Sequence, residues 1–575
     1  MSTMGARGIA RARSLLPSRT DLAAMVRDPK RDLLAGLTVA IVALPLALGF
    51  GVSSGLGAEA GLATAVVAGA LAAVFGGSNL QVSGPTGAMT VVLVPIVAQH
   101  GPAGVLTVGL LAGLMLLALA VLRAGRYMAY VPASVVEGFT LGIALVIGLQ
   151  QLPNALGVEA EGEKVLAVAG HAVGEFVAAP NWTALALAAG VAAVMLLGAR
   201  WRPGVPFSIV AVIAATAGAQ LLDLDRAAVI GALPAGLPAP SLGFLDLGQL
   251  GPLLAPALAV AALAALETLL SAQVADGMTT GQRHDPDREL FGQGVANIAA
   301  PLFGGVPATG AIARTAVNVR SGAASRLAAL VHAAVLAGIV LAAAPLVSRI
   351  PLAALAGVLI ATAVRMVEFG SLRAMARVTR ADALVLVLTA VATLVLDLVW
   401  AVVIGLAVAG ALALRAVARH ARLDRIDIRP DLPDGHSDEE HALLSEHIVA
   451  YRIDGPLFFA AAHRFLLELS EVADVRVMVL RMSRVTTVDA TGALALKDAV
   501  DELDRRGIVV MASGVRPAQH RALDAVGALD LLRHDGRVHA TTPDAVAAAR
   551  AHLQRTGLLP ASTLPGPRST PKATR

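Results

Sequence analysis

No feature of the chain constrains its fold more than its apolar segments. Fourteen predominantly apolar stretches, at 33–54, 60–76, 80–98, 103–122, 133–152, 182–199, 206–222, 252–275, 289–303, 309–320, 327–348, 352–367, 382–396 and 398–417, fill most of the first 417 residues. Most approach the ~20 residues that a helix needs to cross hydrocarbon. Inside a bilayer only helices and closed barrels satisfy every backbone polar group, and runs of this length are read as helices. The sequence therefore predicts an α-helical polytopic membrane protein over residues 33–420. Composition agrees, because only 15% of the 575 residues are charged, against about 25% in a soluble domain. With aromatic residues at 3%, the apolar mass is Ala, Leu, Val and Gly, the residues that let helices approach closely in lipid.

Charge placement sets the topology. Residues 1–32 form a basic leader with no apolar core of signal-peptide length, and are expected in the cytoplasm. From the fourth span on, loops after even-numbered spans carry Arg123 and Arg126, Arg200 and Arg202, Arg283 and Arg288, Arg320 and Arg326, and Arg373, Arg377 and Arg380, and only the short loop after the second span is uncharged. Loops after odd-numbered spans carry Glu159, Glu161 and Glu163, or Asp223 and Asp225. By the positive-inside rule both termini are cytoplasmic, and a multi-pass protein of the cell inner membrane is expected. The basic residues serve topology, so the net charge of +4 does not point to nucleic acid. The absence of cysteine excludes thiolate chemistry and disulfides. None of the four lysines, Lys30, Lys164, Lys497 and Lys572, lies in a phosphate-cradling loop. No triad, metal ligand set or carboxylate pair stands out, which argues against an enzyme.

An internal echo locates the chemistry. Phe75-Gly76-Gly77 precedes Thr86-Gly87-Ala88, and Phe303-Gly304-Gly305 precedes Thr309-Gly310-Ala311. The two copies enter the third and tenth spans, matching positions in two halves of seven, and an odd number of spans per half makes the repeats inverted. Gly84 with Pro85, and Pro307 with Gly310, interrupt these spans. Interrupted spans at matching positions point to a transporter's binding site, where two helix N-termini offer unpaired N–H groups and dipoles to an anion. Arg314, about one turn into the tenth span, either adds positive potential there or snorkels to the inner face. Glu267 stands in an otherwise apolar stretch, so it either carries a proton, helps hold a cation, or is merely satisfied by neighbours such as Thr268 and Ser271. Glu137 and Asp397 lie at span edges, and His332 reads as structural.

Beyond the spans, 421–445 reads as a polar linker. Residues 446–556 alternate β-branched runs with helical stretches at 461–470, 491–504, 516–527 and 543–554, the pattern of a small α/β domain. Residues 557–575 read as a disordered tail.

Several motifs together resemble the SulP anion transporters: Ala35-Gly36-Leu37-Thr38-Val39-Ala40 through Leu44-Pro45 to Phe50, Val82-Ser83-Gly84-Pro85-Thr86-Gly87-Ala88, Asp287-Arg288-Glu289-Leu290-Phe291-Gly292-Gln293-Gly294-Val295-Ala296-Asn297, and Arg314-Thr315-Ala316-Val317-Asn318. Asp489-Ala490-Thr491-Gly492 is similar to the STAS domains attached to them. The resemblance implies two inverted seven-span repeats, with a core domain moving elevator-like against a gate domain, a cytoplasmic STAS-like domain and a homodimer. It places the anion at Phe50, Thr86, Gly87, Ala88, Gly310, Ala311, Ala313 and Arg314. The columns that hold sodium in bicarbonate members carry Glu267, Ser271 and Ile312 here. The longer Glu267 and the missing hydroxyl at Ile312 favour a proton over sodium held near Glu267, Ser271 and Gly310. Apart from such a coupling ion, H+ or Na+, no cofactor is expected. Asp489 or Thr491 either takes part in regulation or caps the helix that follows.

The expected function is secondary active transport of an inorganic or small organic anion across the bilayer, with sulfate, bicarbonate and small dicarboxylates left open. A nucleobase carrier of the same fold and a membrane-anchored signalling protein are the alternatives. Arg314 and the attached soluble domain speak against the first. The second requires that Glu267 be dispensable.

Overall fold

Uncharged Ala/Leu/Val/Gly runs become helices, and their interruptions set where the helices stop. The chain is described from a computed structural model covering residues 14–160, 164–202, 205–222, 224, 228–233, 236–396, 398–420, 422–426, 444–459 and 475–559. Asp397, the 461–470 stretch, most of the 421–445 segment and most of the 557–575 tail lie outside the described residues. In the membrane unit α1 (Arg19–Arg27), α2 (Pro29–Ser53) and α3 (Ala58–Phe75) lead to β1 (Ser83–Gly84), α4 (Gly87–Val121), α5 (Ala133–Gln150), α6 (Val165–Ala178), α7 (Trp182–Trp201) and α8 (Phe207–Leu221). Then follow α9 (Leu250–Met278), α10 (Pro286–Leu302), β2 (Thr309–Gly310), α11 (Ile312–Arg320), α12 (Leu327–Val347), α13 (Leu352–Met366), α14 (Phe369–Val378), α15 (Arg380–Val395) and α16 (Leu398–His420).

Each of the fourteen expected spans contains a helix. Among the described residues nine helical stretches are long and apolar enough to cross a membrane, one of them, Leu352–Met375, only by counting α13 together with the start of α14; the others are short or broken. The third and fourth expected spans run together as α4, bent at Gly101, where φ is 65° ahead of Pro102. The third and tenth begin extended and turn helical only at Gly87 and Ile312. The helices α6 and α14 were not among the fourteen. The first is 14 residues long and the second 10, too short to cross hydrocarbon.

The spans sort into two bundles. One contains α2, α3, α4, α9, α10, α11 and α12; the other contains α5, α7, α8, α13 and α15. Small residues allow the tightest crossings. A Cβ on Gly113 of α4 would sit 2.8 Å from the carbonyl oxygen of Gly294 on α10, and one on Gly294 would sit 2.9 Å from that of Gly113. Buried carboxylates pin the connections: Glu289 accepts from the Ser78 amide at 2.7 Å, and Asp32 accepts from the amides of Ala324 and Ser325. The leader helix α1 is tied down as well. Asp21 accepts from Arg288 Nη2 at 2.7 Å and lies 3.4 Å from Arg326 Nη2. Burial pushes the Asp21 carboxyl up, but the Arg288 and Ser18 hydrogen bonds and the Arg326 charge outweigh it and hold it at about 2.

The second unit carries a sheet of β3 (Arg422–Ile426), β4 (Ile448–Leu457), β5 (Val477–Arg481), β6 (Val485–Val488), β7 (Val509–Ser513) and β8 (Val538–His539). The strand order is β3-β4-β5-β7-β8, with β6 also on β4. All pairings are parallel except β3 with β4. Helices α17 (Ala490–Arg505), α18 (Pro517–Ala525) and α19 (Thr542–Arg555) complete it. Residues 422–426 thus form an edge strand where a linker was expected. The acidic Asp424 that suggested a linker faces Arg452 across the strands, 3.2 Å away. Leu423 and Ile426 pack against the separate apolar clusters of the domain.

Candidate functional site

The two interrupted spans meet head to head. Pro85 has no N–H to give to a helix, and the preceding Ser83-Gly84 pairs antiparallel with Thr309-Gly310, Ser83 opposite Gly310 and Gly84 opposite Thr309. The Ala311 amide donates to the Val82 carbonyl at 2.9 Å, and the Gly310 amide donates to Thr268 Oγ1 at 3.0 Å. From this pair α4 and α11 depart after Thr86 and Ala311. The N–H groups of their first turns have no intrahelical acceptors. A cavity of about 740 Å³ opens beside these turns, and Phe50, Thr86, Gly87, Ala88, Glu267, Gly310, Ala311, Ala313 and Arg314 all line it, together with Ile312. The second bundle supplies Thr140, Met195, Phe207 and Thr362 to its walls. A Cβ on Gly87 would run into the Ile147 side chain and reach 3.1 Å from the Phe50 ring.

Arg314 stays inside rather than snorkelling. It is 1% exposed, and its Nη2 donates to the Pro85 carbonyl at 2.6 Å. Among the described residues its Nη1 has no hydrogen-bond partner. Gly84, at φ 152°, makes room for it, since a Cβ there would come within 2.6 Å of Nη1. One guanidinium therefore joins the second half-helix to the first and keeps an uncommitted donor.

Glu267 of α9 reaches the same junction. Its Oε2 accepts from Thr86 Oγ1 at 2.8 Å and from Thr309 Oγ1 at 2.6 Å, and the two hydroxyls lie 3.0 Å apart. Thr309 was not singled out from the sequence, although the Thr-Gly-Ala echo contained it. The echo is displaced in three dimensions: in the first half it supplies the N-cap position and first residues of α4, whereas in the second it forms β2 and ends before α11 starts. Despite that offset both threonines end on one carboxylate oxygen. Ile312 leaves its column without a hydroxyl, but Thr309 brings one from the preceding strand. Ser271 turns elsewhere and donates to Thr315 Oγ1 at 2.9 Å; that oxygen also accepts from the Val82 amide. Glu137 accepts from Ser371 at 2.8 Å, and His332 is fully buried.

In the soluble unit Asp489 caps α17. Its Oδ1 accepts from the Gly492 amide at 2.7 Å and its Oδ2 from the Phe459 amide at 3.1 Å, while Thr491 is exposed. Asp489→Ala is expected to destabilise this domain by about 1 kcal/mol, the usual cost of losing such a cap. Thermal melting of the purified protein checks it, and an unchanged transition would deny the cap its role.

Broken helices meeting at a protein-lined cavity within a multi-span bundle define a membrane carrier. The chain belongs to the sulfate permease family, whose profile matches residues 30–389, and the STAS domain profile matches residues 442–545. It is 34% identical to the putative sulfate transporter YvdB of Bacillus subtilis over 509 residues, covering 87% of this chain and 94% of that protein. It is 33% identical to the bicarbonate transporter BicA of Synechocystis over 519 residues, covering 87% and 90%. Among solved structures, the transmembrane domain of a cyanobacterial BicA aligns with a TM-score of 0.58 and 34% identity over 67% of this chain and 98% of that one. Murine Slc26a9, an anion transporter, aligns at 0.81 over 94% and 95% with 17% identity, a likeness of fold alone.

Proposed function

We propose that this protein is a secondary active transporter of an inorganic or small organic anion, held between the first turns of α4 and α11 beside Arg314. The observation that carries the reading is the convergence of two half-helix N-termini and a buried, partly unpaired guanidinium on one cavity. Relatives named for sulfate and for bicarbonate transport support the substrate class. The bundle that holds the half-helices is taken to move, elevator-like, against the bundle of α5, α7, α8, α13 and α15. The coupling ion is a proton on Glu267. Sodium near Glu267, Ser271 and Gly310 is the competing case, favoured by the oxygen-rich surroundings that Thr86 and Thr309 give the carboxylate. The protein is placed in the cell inner membrane as a homodimer with both termini cytoplasmic, and its soluble domain, through Asp489 or Thr491, is assigned a regulatory role.

Uptake of sulfate, bicarbonate and fumarate into liposomes, under separate proton and sodium gradients, tests the reading. Accumulation of one of these anions under one gradient is expected, and none under either would overturn it. Because every residue that lines the candidate site precedes residue 370, a chain ending at residue 420 should still bind the anion, with rate or abundance reduced. A folded truncation without any anion binding would place part of the site in the soluble domain.

A further inference from the structure

The connection between α13 and α15 is itself a helix, and its outward face is exposed among the described residues. On α14 the hydroxyl of Ser371 is bonded inward to Glu137, and Leu372 and Met375 are half-buried. Phe369, Arg373 and Arg377 point outward, and Phe369 is 69% exposed. Arg380, exposed at the start of α15, continues the basic side. Residues 369–381 contain three arginines and no carboxylate, and among the described residues no acidic side chain pairs with any of the three. The nearest acids in sequence are Asp382 and Glu368. Asp382 is held by Thr379, whose Oγ1 donates to it at 2.8 Å, and Glu368 lines the transport cavity.

An exposed aromatic ring beside unpaired guanidinium groups, on a short helix strung between two membrane-spanning helices, has the chemistry of an interfacial anchor. The ring suits the boundary between headgroups and acyl chains, and guanidinium groups hold phosphate in a fork geometry. We propose that α14 with Arg380 forms a binding site for anionic phospholipid in the leaflet facing the basic loops, the cytoplasmic one under the orientation proposed above. The hydrogen bond from Ser371 to Glu137 transmits that contact to α5. The bundle containing α5 is thereby fixed at the membrane surface while the other carries the half-helices.

The test uses the purified full-length protein in detergent, with no transport step, so its outcome is independent of the substrate reading. Short-chain phosphatidylglycerol, phosphatidylcholine of equal chain length, or inorganic phosphate is titrated while melting is followed by tryptophan fluorescence. Phosphatidylglycerol alone is expected to raise the melting temperature. Arg373→Gln/Arg377→Gln/Arg380→Gln should require on the order of a hundredfold more lipid for the same shift, given what each basic residue contributes near an anionic surface. The milder Arg377→Gln should need roughly fivefold more, and it serves if the triple variant fails to fold. Arg123→Gln/Arg126→Gln, on a different loop, should respond like the parent. Equal responses to the two lipids, a response to phosphate alone, or parent-like responses from both the triple and the single variant would overturn the proposal.

Discussion

Glu267→Gln is expected to bind anion as well as the parent does, to lose the pH dependence of uptake, and to fail to concentrate substrate against a gradient. The reason lies in one oxygen. Oε2 of Glu267 accepts both Thr86 and Thr309 hydroxyls, and these residues sit at the entries of the two half-helices. An ionised carboxylate there opposes an incoming anion at the neighbouring N-termini. A protonated one does not, so proton and anion binding favour each other, and linkage makes the effect reciprocal. A proton on Oε2 also displaces one of the two donated hydroxyls, which is then able to turn to the cavity that Thr86 lines. Gln imitates the protonated shape but cannot release a proton. Uptake by the parent, the Gln form and Glu267→Asp, measured across pH with and without sodium, separates the cases. Sodium coupling predicts a parent that needs sodium at every pH and an Asp form that keeps the need. Normal gradient-driven accumulation by Glu267→Gln would sink both.

Arg314→Ala should weaken anion binding about ten- to a hundredfold. A hydrogen bond to a charged group is worth about 1.5–3 kcal/mol, and each 1.4 kcal/mol is a factor of ten in affinity. Binding is weakened rather than abolished because the half-helix dipoles remain, each worth up to about 2 kcal/mol when partly buried. Substitution also leaves the Pro85 carbonyl without its donor, so some stability is lost along with affinity. Substrate titration alongside melting resolves the two effects. An unchanged dissociation constant in a folded variant would remove Arg314 from the site.

Much of this was legible in the sequence because a bilayer leaves few options. Apolar run length located the spans, and Pro85 and Pro307 marked where two of them break. The residues expected to face the anion do line one cavity. What escaped was whatever depends on partners distant in sequence. Nothing near Thr309 reveals that its hydroxyl meets Glu267, 42 residues earlier, and the Ser271 column did not disclose that its hydroxyl belongs to Thr315. Helix α14 was read as a basic loop because only its contacts, Ser371 with Glu137 above all, show which side faces inward. Asp424 looked like linker charge for the same reason: its partner on β4 lies 28 residues further on.

The two-residue strands at the centre of the membrane unit also set what must be in place before the site exists. The partner of Ser83-Gly84 is Thr309-Gly310, in the other half of the chain, and among the described residues neither strand pairs with a segment of its own half. Neither half therefore assembles this junction by itself. The hydroxyls of Thr86 and Thr309 reach the Glu267 carboxylate only once both halves have met.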